Sequence, residues 1–497
     1  MKHVVVIGAG LGGLATSIRL AHAGYRVTLL EKNGRVGGKM DIWEQGGYRF
    51  DTGPSLLTMP FVLRDLFQTV GERMEDHLEL VPIEPICRYF WQDGSCLNAS
   101  ADLALTIRGI GRLSRGDAGN VEQFLEHGRK IYDAAFQPFL LSAFGSMKAR
   151  ELFSSLKHLP SLAKIDAMRS LNDAVEAYFT DGKIRQLFNR FATYNGSSPY
   201  LAPATLALIP YVEFTMGGWY TRGGMYSLAH ALQLLALRLG VEIRTGVEVG
   251  AIVRNRNEVR GVETESGGTI EADVVVSNAD ALYAERRLLD NRAQIREIEP
   301  SLAGFVLVLG VRRFWPELAH HNVFFSDDYR EEFDAMFRAG QPSRNPTIYV
   351  CNTSRTDRGH APAGCSNLFV LVNAPPLPRE TRENSGVNWE SFGKTYRDLV
   401  IRMLEQRGLS GLEDAIEVER VITPAEFERH YNAYRGSIYG TSSNSRLAAF
   451  LRPPNRSRMY RNLYFVGGSS HPGGGIPLVL LSGQIVADMI RREHCPS

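Results

Sequence analysis

Three glycines, at positions 8, 10 and 13, stand between the apolar run Val4-Val5-Val6-Ile7 and the stretch Leu14 to Ala23, whose apolar residues recur at helical spacing. A run apolar on both faces reads as a strand buried in a parallel sheet. In that context the first glycine makes a tight turn, the second lets a ligand approach the backbone, and the third lets helix pack on strand. Val27-Thr28-Leu29-Leu30 is the next strand, and it closes a βαβ unit at Glu31. The start of the helix offers unpaired N–H groups and the positive end of its dipole to an anion. The pattern therefore predicts a dinucleotide site, the alternative being a bare structural turn. Glu31 follows Gly13 by 18 residues, where a carboxylate accepts hydrogen bonds from a ribose, or else is a solvated strand end. Met1-Lys2-His3 imitates the start of a signal peptide, but the apolar run breaks at once into glycine, so it reads as the first strand.

The rest of the 497 residues bounds the architecture. At about 150 residues per domain the chain makes two or three units. Hydrophobic residues at 44% and charged residues at 22% supply a core without staples. Lys+Arg at 56 against Asp+Glu at 54 leaves a net charge of +2, too balanced for the basic field of a nucleic-acid binder. The five cysteines, Cys87, Cys96, Cys351, Cys365 and Cys495, match neither a zinc spacing nor a CxxC pair, which suggests a reducing compartment and inert, packing thiols. The best candidate for a membrane span, Ile476 to Ile490, carries Gln484 and Asp488 and is too short. The expectation is a soluble protein or one lying on a membrane surface.

Two further segments share the character of the first. Mid-chain, a helical pattern from Met225 to Leu239 precedes strands near Val241 to Arg244, Val247 to Val253, Val259 to Glu265 and Asp273 to Ser277. Near the end, the strand Leu463-Tyr464-Phe465-Val466 enters a glycine-rich loop and a helix from Pro477 to about Arg491. The predicted fold class is α/β. One discontinuous, Rossmann-like domain of parallel sheet takes residues 1–75, 225–300 and 455–497, interrupted by a helical region, 75–225, and a β-rich region, 300–455. Without Ser/Gly linkers, the insertions are expected to pack on the nucleotide domain.

Arg35-Val36-Gly37-Gly38-Lys39, followed by Phe50-Asp51-Thr52-Gly53-Pro54, adds a second loop that a simple nicotinamide enzyme has no use for. Its glycines let backbone approach a ligand, and Arg35 can face a phosphate. These residues resemble the FAD-binding signature of the amine oxidase and carotenoid desaturase flavoproteins. The C-terminal loop Gly467-Gly468-Ser469-Ser470-His471-Pro472-Gly473-Gly474-Gly475-Ile476-Pro477 ends at a helix start that can face the flavin edge where charge appears on reduction. As pure structure it would be a flexible loop. His471 is a weak candidate for a proton-transferring group, against a backbone-bonded loop residue. Phe214, Trp219 and Tyr220 either line an apolar substrate tunnel or belong to the ordinary core.

Over nearly its whole length the chain resembles the bacterial phytoene desaturase family of carotenoid-pathway flavoproteins. The motifs are the N-terminal fingerprint with FDTGP, GGWYTRGGMYSLAHAL near 217–232, ADVVVSNAD near 272–280, the 345–372 segments and VGGSSHPGGGIP. The resemblance implies that Gly8, Gly10, Gly13, Glu31, Arg35, Gly37 and Gly38 hold FAD. It also implies that Val249 touches the adenine through its backbone and that the 467–477 loop, with Gly467, Gly468, Gly475 and Ile476, covers the flavin. The form of the last motif and Ile438 to Asn444 are more similar to members acting late in the pathway, the hydroxycarotenoid 3,4-desaturases or terminal-methyl oxygenases, than to phytoene desaturases proper.

The implied activity is dehydrogenation of a carotenoid, with hydride passing to flavin N5 inside an apolar, water-excluding site; apart from the weak candidate His471, the sequence names no proton acceptor. A quinone or oxygen would reoxidise the flavin. Because carotenoids partition into lipid, the chain is expected in the cytoplasm, peripheral on the inner face of the membrane. The basic and apolar stretch 139–169 is either the membrane-facing patch or a helix pair packed on the body. An oxygenase, an amine oxidase and a non-enzymatic prenyl-lipid carrier of the same fold are the alternatives. No metal is expected.

Overall fold

A computed structural model describes residues 1–142, 165–290, 298–379, 386–445 and 452–494. Most of the 139–169 patch, from residue 143 to 164, and Cys495 lie outside the described residues.

The first sheet is wholly parallel. Its order is Leu463–Phe465, Val274–Ser277, His3–Ile7, Arg26–Glu31 and Glu242–Thr245. Val4 pairs with Val274 on one side and with Val27 on the other, so strands far apart in sequence meet on the glycine-flanked first strand. Val4, Val5 and Val6 are fully buried, as strands covered on both faces must be. The helices Leu11–His22, Tyr226–Arg238 and Ile476–Glu493 pack on one face. The predicted α/β class with a parallel sheet holds.

One expectation is corrected here. The mid-chain strands predicted near Val247 to Val253 and Val259 to Glu265 do not join the parallel sheet. They form an antiparallel meander, Val249–Asn255, Glu258–Thr264 and Thr269–Glu271, covering the other face through Val249, Ile252, Val259 and Val262. The physical reason is connection length: the short turns between them permit only antiparallel pairing, because a parallel pair needs a long crossover.

The second sheet has seven strands in the order Ile416–Ile422, Ala303–Val311, Ser366–Ala374, Ile348–Cys351, His321–Phe324, Cys87–Phe90 and Cys96–Ala99. Two of these strands come from the 75–225 stretch and five from beyond residue 300. All nine residues of Ala303–Val311 are buried, since the strand is sandwiched. Helix Trp389–Gln406 covers one face through Trp389, Tyr396 and Leu404. On the other lie Tyr48 and Phe50 of the hairpin Ile42–Gln45/Tyr48–Asp51. That hairpin follows the second glycine loop directly, so it ties the nucleotide sheet to the seven-stranded one. Among the described residues no helix is long and apolar enough to cross a membrane.

Candidate functional site: a flavin cradle at two helix starts

Gly10 and Gly13 each meet a specific obstacle to a side chain, and Gly8 holds a left-handed backbone at φ +92°. A Cβ on Gly13 would lie 2.2 Å from the Gly8 carbonyl oxygen, and one on Gly10 would lie 2.8 Å from Asn278 Nδ2. The helix Leu11–His22 can start against the strand only because these positions are bare. Its first turn has no side-chain cap and no acidic residue, which leaves N–H groups and the positive dipole end for an anion. The second glycine loop is bonded to the first, with Gly37 N–H donating to the Ala9 carbonyl at 2.8 Å. Gly38 comes so near that a Cβ there would stand 3.2 Å from Gly10 Cα.

Glu31 ends the second strand with its side chain 5% exposed. Its carboxylate accepts from Ala9 N–H at 2.8 Å and Asn33 N–H at 3.0 Å, which aims it back at the glycine turn. Arg35 differs: half exposed, it pairs with Asp41 at 3.6 Å. Val249 begins its strand beside Ile7 and Leu30, and Val247 N–H donates to the Glu31 carbonyl, so the meander runs alongside the strand end that carries Glu31.

The C-terminal loop closes over the same place. A Cβ on Gly12 would lie 3.1 Å from Gly467 Cα, and Gly467 N–H donates to Ser482 Oγ at 3.2 Å. Helix Ile476–Glu493 starts at Gly475, at φ +103°, with no side-chain cap, no acidic residue in its first turn and Pro477 among its first residues. A Cβ on Gly475 would meet nothing within 4 Å, so space opens at this helix start. Ile476, its first residue, is buried. Gly468 is held from behind, its carbonyl accepting from the buried Arg452 at 3.2 Å. Burial pushes the Arg452 guanidinium down to about 10.

Several residues of this cradle take roles that their local sequence does not announce. Asn278 follows strand Val274–Ser277; its Nδ2 donates to the Gly8 carbonyl at 3.1 Å, and its side chain fills the space that Gly10, Gly12 and Gly467 vacate. The Asp51 carboxylate accepts from Met225 N–H at 2.9 Å and Tyr226 N–H at 3.1 Å, which caps helix Tyr226–Arg238 and explains the acid in FDTGP. Lys39 Nζ donates to the carbonyls of Ser437 and Ile438 at 2.9 and 2.7 Å. Burial lowers its ammonium to about 8, against the opposing pull of Asp280. The signal for Asn278 and Asp51 was their place at strand ends; for Lys39 and Arg452 no local pattern exists, because their partners are distant in sequence.

His471 anchors the loop. Its Nε2 lies 2.7 Å from the Phe139 carbonyl and 3.0 Å from that of Ser142, two acceptors that fix this nitrogen as a donor. Burial lowers its pKa to about 4. The nitrogen is therefore not free to take a proton from a substrate. Of the three aromatic candidates, Trp219 and Tyr220 pack on one apolar cluster and Phe214 belongs to another. Phe214 is fully buried among Phe188 and Phe191, Trp219 donates to the Met216 carbonyl at 2.9 Å, and the Tyr220 ring lies 4.8 Å from that of His320. Phe214 thus lies in an aromatic cluster with Phe124, Phe188 and Phe191.

The bare glycines, the two uncapped helix starts and the inward Glu31 fit FAD. Gly8, Gly10, Gly13, Glu31, Gly37 and Gly38 would hold its phosphates and ribose, and Gly467, Gly468, Gly475 and Ile476 its flavin end. The flavin-containing amine oxidoreductase family matches residues 11–491. The chain belongs to that family. It is 39% identical to a 4,4'-diapolycopene oxygenase of Methylomonas over 98% of both chains. It is 38% identical to a 1-hydroxycarotenoid 3,4-desaturase of a Flavobacterium over 99% of both. A redesigned putrescine oxidase shares its fold at a TM-score of 0.64 and 14% identity, over 99% of each chain. The protein is an FAD-dependent oxidoreductase, which removes the carrier alternative.

Proposed function

We propose that this flavoprotein dehydrogenates a carotenoid that already carries a polar end group. The observation that carries the reading is a complete flavin cradle in a chain 38–39% identical, end to end, to enzymes named for oxidising carotenoids. FAD, when bound, supplies the two-electron acceptor that a hydrocarbon C–H bond needs. The chain's own work is to hold the cofactor through Gly10, Gly13 and Glu31, to steady the 467–475 loop through Arg452 and His471, and to keep water from the reacting carbon. Desaturation asks for nothing beyond an acceptor for hydride and one for a proton. Terminal oxygenation is the second reading, favoured by the 39% identity to the diapolycopene oxygenase.

The solubility of such a substrate in lipid supports a peripheral position at a membrane, which we take to be on its cytoplasmic face, with a quinone or oxygen as the proposed final electron acceptor. Anaerobic mixing of the FAD-loaded protein with vesicles containing a 1-hydroxylated carotene tests the reading. Bleaching of the flavin with loss of two hydrogens from the carotenoid is the expected result. Flavin that stays oxidised with the carotene in the absence of air, and product carrying oxygen that forms only when both air and a chemical reductant of the flavin are supplied, would transfer the assignment to the oxygenase.

A further inference from the structure

The seven-stranded sheet contains a group of side chains that the flavin cradle does not use. His321 and Cys351 are cross-strand partners in the antiparallel pair His321–Phe324/Ile348–Cys351, and directly opposed residues share a face of the sheet. His320 immediately precedes that strand, its ring 4.4 Å from the ring of His321. One ring nitrogen from each histidine and the Cys351 sulfur all lie within 4.8 Å of one another. The three residues are 3%, 2% and 1% exposed.

The hydrogen bonding around the two rings is one-sided. His320 Nδ1 lies 2.7 Å from Thr356 Oγ1, and His321 Nδ1 lies 2.7 Å from the Tyr349 hydroxyl, which in turn meets Ser55 Oγ at 2.6 Å. Nε2 of each ring is buried with no hydrogen-bond partner. A buried polar atom left in this state is costly unless something else completes it. A ring held at one nitrogen by a hydroxyl and bare at the other is also the arrangement that orients a metal-binding imidazole.

We propose that His320, His321 and Cys351 form a metal site for a divalent first-row ion of zinc's class. Two imidazoles and a thiolate suit zinc and its neighbours, whereas calcium and magnesium require oxygen donors. Bonds of about 2.0–2.3 Å ask the three donors to draw together by about 1 Å. On binding, the Cys351 S–H bond breaks, its proton leaves to solvent and an S–metal bond forms; no atom changes oxidation state. Three protein ligands leave a further position for water or another small oxygen ligand. Cys351, which its spacing in the sequence suggested to be inert packing, is a ligand in this account.

The test uses the full-length, FAD-loaded protein, treated with chelator, incubated with zinc, desalted and analysed for metal. The expected content is about one zinc per chain with flavin retained, falling to under about a tenth of that in Cys351→Ser. Tyr349→Phe and Thr356→Val, which remove only the outer hydroxyls, are expected to weaken zinc about 10- to 100-fold. Cobalt in place of zinc is expected to give a thiolate-to-cobalt absorption in the difference spectrum against the metal-free holoenzyme. Wild type without zinc, cobalt bound without the thiolate absorption, or equal zinc in Cys351→Ser overturns the proposal. If Cys351→Ser fails to fold, the wild-type cobalt spectrum decides alone.

Discussion

Glu31 and Arg35 entered the sequence reading as equals, and the structure separates them. Glu31 is buried and aimed at the glycine turn by two backbone N–H groups. A charged hydrogen bond contributes about 1.5–3 kcal/mol, so Glu31→Gln is expected to weaken FAD binding about tenfold or more, measured by titrating flavin into the apoprotein. Arg35 is half exposed and paired with Asp41, an arrangement worth at most about 1 kcal/mol, so Arg35→Ala is expected to cost less than about fivefold in the same titration. Equal losses in the two variants would contradict this ranking. His471 carries a pH dependence. Its folded pKa is depressed to about 4, while an unfolded imidazole protonates near about 6.5. Between those values the unfolded chain binds more protons, so this group's contribution, of order 3 kcal/mol, is present above about pH 6.5 and lost as pH falls toward about 4. Thermal melts across that window should decline less steeply for His471→Gln than for wild type; parallel curves would contradict the assignment.

Strands and helices with strong local patterns were legible in the sequence. The first βαβ unit, helix Tyr226–Arg238 and helix Ile476–Glu493 stand close to where apolar spacing and glycine turns put them. Gly13 shows why that signal is strong: the close approach of Gly8 leaves no room for a methyl group. Gly13→Ala is expected to destabilise the fold by about 1–3 kcal/mol and to reduce retained flavin, read by melting temperature and by flavin content after gel filtration. Asp51→Ala, which removes the cap of helix Tyr226–Arg238, should cost about 0.5–2 kcal/mol; an unchanged melt would mean the cap contributes nothing. What the sequence hid was pairing. The apolar run from Val249 to Val253 marks Val249–Asn255 as a strand without saying which neighbour it takes, and only the short turns to Glu258–Thr264 decide for the meander. The seven-stranded sheet was hidden for the same reason, since Cys87–Phe90 pairs in parallel with His321–Phe324, more than 200 residues away.

The whole molecule places its two kinds of chemistry on two sheets. The parallel sheet ends in a flavin cradle built from the two ends of the chain, and the mixed sheet carries the buried histidines and Cys351. The hairpin Ile42–Gln45/Tyr48–Asp51 joins them through Tyr48 and Phe50. Motifs at the chain ends made the cofactor legible, because glycine turns advertise backbone geometry. The substrate's surroundings were far less legible: of the aromatic candidates, close together in sequence, Phe214 sits in one apolar cluster and Trp219 and Tyr220 on another. The central claim is that this chain oxidises a late carotenoid by taking hydrogen from it. The most direct measurement is to express the protein with FAD in hosts accumulating either phytoene or a 1-hydroxylated carotene, and to record product masses and absorption spectra. The account predicts a red-shifted product, lighter by a pair of hydrogens, in the hydroxylated-carotene host. Unchanged carotenoids in both hosts, with flavin bound to the protein, would contradict it.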